Sequence, residues 1–172
     1  MEPEFVVKVV RAAKERGVKV VVDTSGPALH RVLEEGVYLA KPNVGELSKM
    51  AGVDELDNEA VAEAAHRLVR ESKCEIVVVS LGPQGACVVT KDLVDHVPAP
   101  AVKRRSTVGA GDSMVAGLVY GLSTGLSVRE VVRLGVACGS AATMNPGTEL
   151  FRRDDVDKLY RWLLQTMPAA AA

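Results

Sequence analysis

The chain reads as an α/β protein with a doubly wound, mostly parallel sheet flanked by helices, and three observations predict it. Short runs rich in β-branched residues, Val18–Val22, Val37–Ala40 and Ile76–Val79, alternate with longer segments of helical period. The runs are almost wholly apolar instead of alternating, as strands covered on both faces of a parallel sheet must be. Each run stops at small and polar residues: Asp23-Thr24-Ser25-Gly26, Lys41-Pro42-Asn43, and Ser80-Leu81-Gly82-Pro83-Gln84-Gly85.

The elements follow in order. Pro3 suits a helix's first turn; Phe5, Val6, Val9, Val10 and Ala13 repeat on one face, and Gly17 ends the segment. The strand Val18–Val22 leads to a helix over 27–35 closed by Gly36. After Val37–Ala40 come a short helix, Val44–Ala51, ended by Gly52, and a longer one over 58–72 that turns Val61, Ala64, Ala65, Leu68 and Val69 inward. The third strand, Ile76–Val79, precedes GACVVT and LVDHVPAP, which read as an antiparallel hairpin turning at Lys91-Asp92. Helices then dominate: 112–122, 128–144 and 154–166, with Ser127 and Asp154 as expected caps. Pro168 to Ala172 is expected to fray, and with no repeat or linker the 172 residues read as a single α/β domain.

Composition excludes several function classes. With 21 basic and 22 acidic residues the formal charge is −1, so no electrostatic footprint for nucleic acid or an anionic membrane is expected. No apolar run approaches the ~20 residues that span a bilayer, and the first residues carry acids where a leader would be basic, so the cytoplasm is expected. Cys74, Cys87 and Cys138 lie in apolar stretches without metal-ligand spacing and read as small buried hydrophobes. His30, His66 and His96 are scattered, so no transition metal is expected.

In an open parallel sheet, ligands bind beyond the carboxyl ends of the strands, where helix starts and unpaired loop amides converge. No G-x-x-x-x-G-K-[ST] loop occurs, and Met114 stands where a dinucleotide fingerprint needs a small residue. The stretch STVGAGDSM offers something else. Gly109, Ala110 and Gly111 strip side chains from a helix start, exposing N–H groups beside the positive end of the dipole, which favours an anion. Asp112, in the first turn, is placed to accept a proton from a hydroxyl, or else it only caps the helix while the glycines shape a turn. Asn43 and Glu46 have the spacing of a capping box; alternatively Glu46 helps hold hydrated Mg²⁺ while Asn43 and Lys41 approach phosphates. Ser80, Gly82 and Gly85 either shape a turn or let backbone approach a phosphate, and Asn145 to Thr148 either ends a helix or turns carbonyls toward a cation.

Taken in order, VVDTSG, KPNVGEL, VVVSLGPQGA, STVGAGDSM and GSAATMNPGT resemble the ribokinase-like sugar kinases, the PfkB family, and within it the phosphofructokinase branch. The resemblance implies ATP-dependent phosphorylation of a sugar phosphate, with fructose 6-phosphate the acceptor the likeness favours. It implies Asp112 as the base and the amides of Gly109, Ala110 and Gly111 as the anion hole. It also implies Lys41, Asn43, Ser80, Gly82 and Gly85 around ATP, with Ser140 near its outer end. Glu46 takes the Mg²⁺ role, and Ser106, Val108, Ala142, Asn145 and Gly147 would present oxygens to K⁺, with Glu149 as the last of that set. Family members are longer, and their amino-terminal portion carries the first strands, most sugar contacts and a lid. The chain therefore corresponds to the carboxyl-terminal portion, to be completed by such a portion or by a second copy. A nucleotide-binding module without catalysis and a structural α/β module are the other readings the sequence leaves open.

Overall fold

The computed structural model describes residues 2–167, so the expected fraying of Pro168 to Ala172 lies outside the described residues. The chain forms two compact units, one running through Gly82 and including Cys87–His96, the other comprising Pro83–Ala86 and the chain from Val97 onward.

The first unit is built on a sheet of five strands in the order β1 (Val21–Val22), β2 (Leu39–Ala40), β3 (Ile76–Ser80), β4 (Ala86–Val89) and β5 (Val94–Val97). The pairs β1–β2 and β2–β3 are parallel, with Val21 opposite Leu39 and Leu39 opposite Ile76. β4 and β5 are neighbours joined at Thr90–Leu93, where the Thr90 N–H reaches the Leu93 carbonyl at 2.8 Å. So short a connection permits only the antiparallel hairpin read from the sequence. Helices α1 (Pro3–Glu15), α2 (Gly26–Glu35), α3 (Val44–Ala51) and α4 (Asn58–Glu71) fall between the parallel strands or before them. The α/β architecture with a mostly parallel sheet is therefore the one the alternation of elements predicted.

The core explains the short apolar strands. Leu29, Val32, Leu39, Leu47, Val61, Ala65, Val77 and Val79 are essentially inaccessible. Burying each leucine or valine contributes about 1.5–3 kcal/mol against the cost of ordering the chain. Two expectations need correction. The first strand pairs only over Val21–Val22, although the Val20 carbonyl still accepts from Tyr38 and Leu39; Val18 is exposed because β1 lies at the sheet's edge. On α1 the buried positions are Val7 and Val10, which pack with α2, whereas Phe5 and Val9 face outward. The run FVVKVV is apolar on more than one stripe, and periodicity alone could not choose between them.

The second unit is helical: α5 (Ala110–Ser123), α6 (Val128–Thr143) and α7 (Arg153–Thr166). α5 and α6 meet backbone to backbone. A Cβ on Gly117 would lie 2.9 Å from the Gly135 Cα and 3.0 Å from the Leu134 carbonyl, and one on Gly135 would lie 2.9 Å from Leu118 Cδ2. Interhelical distance follows the side chains at the contact, and the glycines here let main chain approach main chain. α5 begins two residues before the expected Asp112, since Gly109 in the left-handed conformation is the residue that turns the chain into the helix. Arg152, not Asp154, occupies the start of α7, with no side-chain cap.

Ser127 does cap α6. Its hydroxyl donates to Glu130 Oε2 at 2.6 Å, its N–H donates to the same oxygen at 3.1 Å, and the Glu130 N–H returns to Ser127 Oγ at 3.4 Å. Those bonds, the hydroxyl's first, hold the Glu130 carboxyl below its ordinary range. The three thiols are buried, as the sequence suggested; burial pushes Cys74 and Cys138 up to about 11, and Cys74 Sγ donates to the Ile76 carbonyl at 3.1 Å. Among the described residues no helix is long and apolar enough to cross a membrane.

Two stability outcomes follow from these contacts. Gly85 has φ +100°, and a methyl there would overlap the Val97 carbonyl and lie 2.6 Å from the Ala99 nitrogen. Gly85→Ala should therefore cost about 3 kcal/mol or more in urea unfolding, and an unchanged midpoint would contradict the packing described. Ser127→Ala should cost about 1 kcal/mol at neutral pH. Because the folded-state pKa of Glu130 is depressed, its contribution is present above the unfolded carboxylate pKa. It is lost as pH falls through the folded value, so the difference between variant and parent should narrow in acid.

Candidate functional site

In the first unit the loops after β2 and β3 lie side by side. The parallel pairing continues past the named strands through an Asn43–Ser80 bridge, with the Ser80 N–H donating to the Pro42 carbonyl at 3.0 Å. Lys41 is 5% exposed, and its Nζ lies 3.2 Å from Asp23 Oδ2 at the end of β1. A buried ammonium needs a counter-charge, and Asp23 supplies it. Asn43 and Glu46 form the full capping box: the Asn43 N–H donates to Glu46 Oε2 and the Glu46 N–H donates to Asn43 Oδ1, both at 2.9 Å. The local reading of this pair is therefore correct. It does not consume Glu46, whose carboxylate has further lone pairs. Gly82 opens a 3₁₀ turn, Gly82–Gln84, and has open space where a side chain would point.

In the second unit, the start of α5 has the features of an anion cradle. Gly109 is the N-cap at φ 75° and no side chain caps the helix. Asp112 is exposed in the first turn and makes no cap bond, so its structural role as a cap is ruled out. The Ala110 N–H bends back to the Thr107 carbonyl at 3.3 Å. The N–H groups of Gly109, Gly111 and Asp112 have no acceptor among the described residues, and they lie beside the positive end of a 14-residue helix. Such donors suit the oxygens of a phosphoryl group.

Two further loops of this unit are tied together. Ser106 Oγ donates to the Gly147 carbonyl at 2.8 Å and accepts from the Val108 N–H at 3.2 Å, while the Arg105 and Ser106 N–H groups both reach the Thr143 carbonyl. Asn145, 6% exposed, donates its N–H to the Ala142 carbonyl and its Nδ2 to the carbonyls of Ala141 and Leu150. Hydrogen bonds thus tie Ser106 to Val108 and, across 41 residues of sequence, to Gly147, and separately tie Asn145 to Ala142. Glu149 follows in the same loop, its N–H on the Pro146 carbonyl. A carbonyl that accepts one bond retains a second lone pair, and carbonyl-rich loops of this kind fit an alkali cation. Ser140 lies on α6, largely buried, its carbonyl accepting from Thr143 Oγ1 at 2.7 Å.

Two features escaped the sequence reading. Asp23 was only part of a strand-end loop, and its pairing with Lys41 depends on β1 lying beside β2. The glycines at 117, 121, 135 and 139 went unnoticed, although their four-residue spacing on two successive helices was there to be seen. Among the described residues no group of three or more His, Cys, Asp or Glu is poised for a metal. A magnesium ion near Glu46 would accordingly depend on waters and phosphate oxygens for most of its ligands.

A family model described as "pfkB family carbohydrate kinase" matches residues 2–154. The chain is 44% identical over 161 residues to the ATP-dependent 6-phosphofructokinase isozyme 2 of Escherichia coli, covering 93% of this chain and 52% of that protein. It is 39% identical over 146 residues to the 1-phosphofructokinase of Bacillus subtilis, covering 84% and 48%. The crystal structure of Escherichia coli phosphofructokinase-2 in complex with potassium superposes with a TM-score of 0.89 at 43% identity, over 95% of this chain and 53% of that one. The chain thus spans about half the length of the relatives it matches. Its fold, its ordered motifs and the match along most of its length place it in the PfkB family of carbohydrate kinases.

Proposed function

We propose that this chain carries the nucleotide and base portion of a phosphofructokinase-like kinase that transfers the γ-phosphoryl group of ATP to a hydroxyl of a sugar phosphate, fructose 6-phosphate being preferred. The observation that carries the reading is the start of α5. There, side chains are absent from Gly109 and Gly111, the N–H groups of Gly109, Gly111 and Asp112 lack partners among the described residues, and the Asp112 carboxylate is exposed and unused as a cap. In this reading Asp112 accepts the proton of the acceptor hydroxyl as its oxygen bonds to the γ-phosphorus and ADP departs. The amides of Gly109 and Gly111, with some share from Ala110, stabilise charge on the transferring group.

Lys41, Asn43, Ser80, Gly82, Gly85 and Ser140 are the residues that this reading gives to the nucleotide. Asp23 orients the Lys41 side chain until phosphate oxygens compete for it. Glu46 would hold Mg²⁺ through its waters; when bound, the ion supplies charge neutralisation at the phosphate oxygens. Ser106, Val108, Ala142, Asn145, Gly147 and Glu149 would hold K⁺, a role supported by the potassium complex of the Escherichia coli relative. The reading takes the chain as one functional domain over 1–172, acting in the cytoplasm and completed for turnover by an amino-terminal portion or a second copy.

Fructose 6-phosphate-dependent release of ADP from MgATP, measured with potassium present, tests it. Asp112→Asn should lower turnover by about 10²–10⁴-fold while nucleotide binding persists. Unchanged turnover in that variant would remove Asp112 from the mechanism. Nucleotide binding in the parent without sugar-dependent release would leave a binding module.

A further inference from the structure

The seam between α5 and α6 ends at the start of α5. A Cβ on Gly139 of α6 would lie 3.1 Å from the carbonyl oxygen of Ala110 and 3.5 Å from Met114 Cβ. Ala110 is the first residue of α5. Its carbonyl belongs to the same planar peptide unit as the Gly111 N–H, so a push on that oxygen tilts the plane and turns the N–H with it. The Gly111 N–H is one of the donors without a partner among the described residues. Nothing flexible lies between: the contact is helix backbone against helix backbone, where a side chain could not move aside.

We infer that Gly139 is a positioning residue for phosphoryl transfer, its missing side chain setting the direction in which the Gly111 N–H points. This rests on the proposed role of the α5 amides. The same seam supplies a matched control at its far end. A Cβ on Gly121 would lie 3.2 Å from both Cα and Cγ2 of Val131, a similar crowding, but ten residues along α5 from Gly111 and so about 15 Å away. In both positions alanine is a better helix former than glycine by about 1 kcal/mol, which offsets part of the crowding and keeps both variants folded.

The test compares Gly139→Ala and Gly121→Ala in the full 172-residue chain by two readouts. The first is the amide ¹H–¹⁵N resonance of Gly111 and its neighbours, which requires no turnover. Gly139→Ala should displace it, and Gly121→Ala should leave it in place. The second is sugar phosphate-dependent ADP release, in which Gly139→Ala should lower kcat about tenfold with KM for MgATP within about twofold, while Gly121→Ala keeps the parental kcat. An unmoved Gly111 resonance in Gly139→Ala, equal displacement in both variants, or a loss confined to KM would overturn the inference. If the parent chain shows no turnover, the proposed function fails for this chain alone, and the resonances still decide the role of Gly139.

Discussion

The direct contact of α5 with α6 is the constraint on which the second unit depends. Gly117 lets the two backbones approach until a single added carbon would collide with main chain, and Gly135 leaves just the room that the Leu118 side chain fills, which fixes how the pair packs. Close packing transmits displacement instead of absorbing it. A helix start that is to present bare amides to an anion cannot be held by a cap, because a cap would occupy those amides. Here the α5 start is held by its neighbour helix and by a left-handed glycine at its N-cap. The helix end is therefore both fixed in place and open.

The first unit solves a similar problem with side chains. The capping box that holds α3 uses Asn43 and Glu46, the residues proposed to approach the nucleotide and Mg²⁺ respectively. In the proposed function local stability and site geometry would be served by the same bonds, and the loops after β2 and β3 are kept side by side by the bridge between Asn43 and Ser80. Lys41 adds charge to this edge at the cost of burial, and Asp23 offsets that cost at 3.2 Å.

What could be read from the sequence divides along the same line between local and distant contacts. The capping box at Asn43, the cap at Ser127, the glycine-ended helices and the apolar strand β3 are decided within a few residues, and all stand where the pattern put them. The start of α5 was displaced by two residues because glycines have poor helix propensity, and only the left-handed Gly109 marks the boundary. The outward face of Phe5 and Val9 was illegible because an apolar helix does not declare which stripe its neighbour covers. Pairings such as Lys41 with Asp23, or Ser106 with the Gly147 carbonyl, arise from elements brought together by the fold; the order of motifs anticipated the loops but not the bonds.

The claim at the centre of this account is that the chain itself holds a nucleotide. Calorimetric titration of the folded chain with MgATP, in buffers containing potassium or lacking it, measures this directly. The account predicts saturable binding that weakens when potassium is withdrawn. A folded chain that takes up no MgATP under either condition would contradict it.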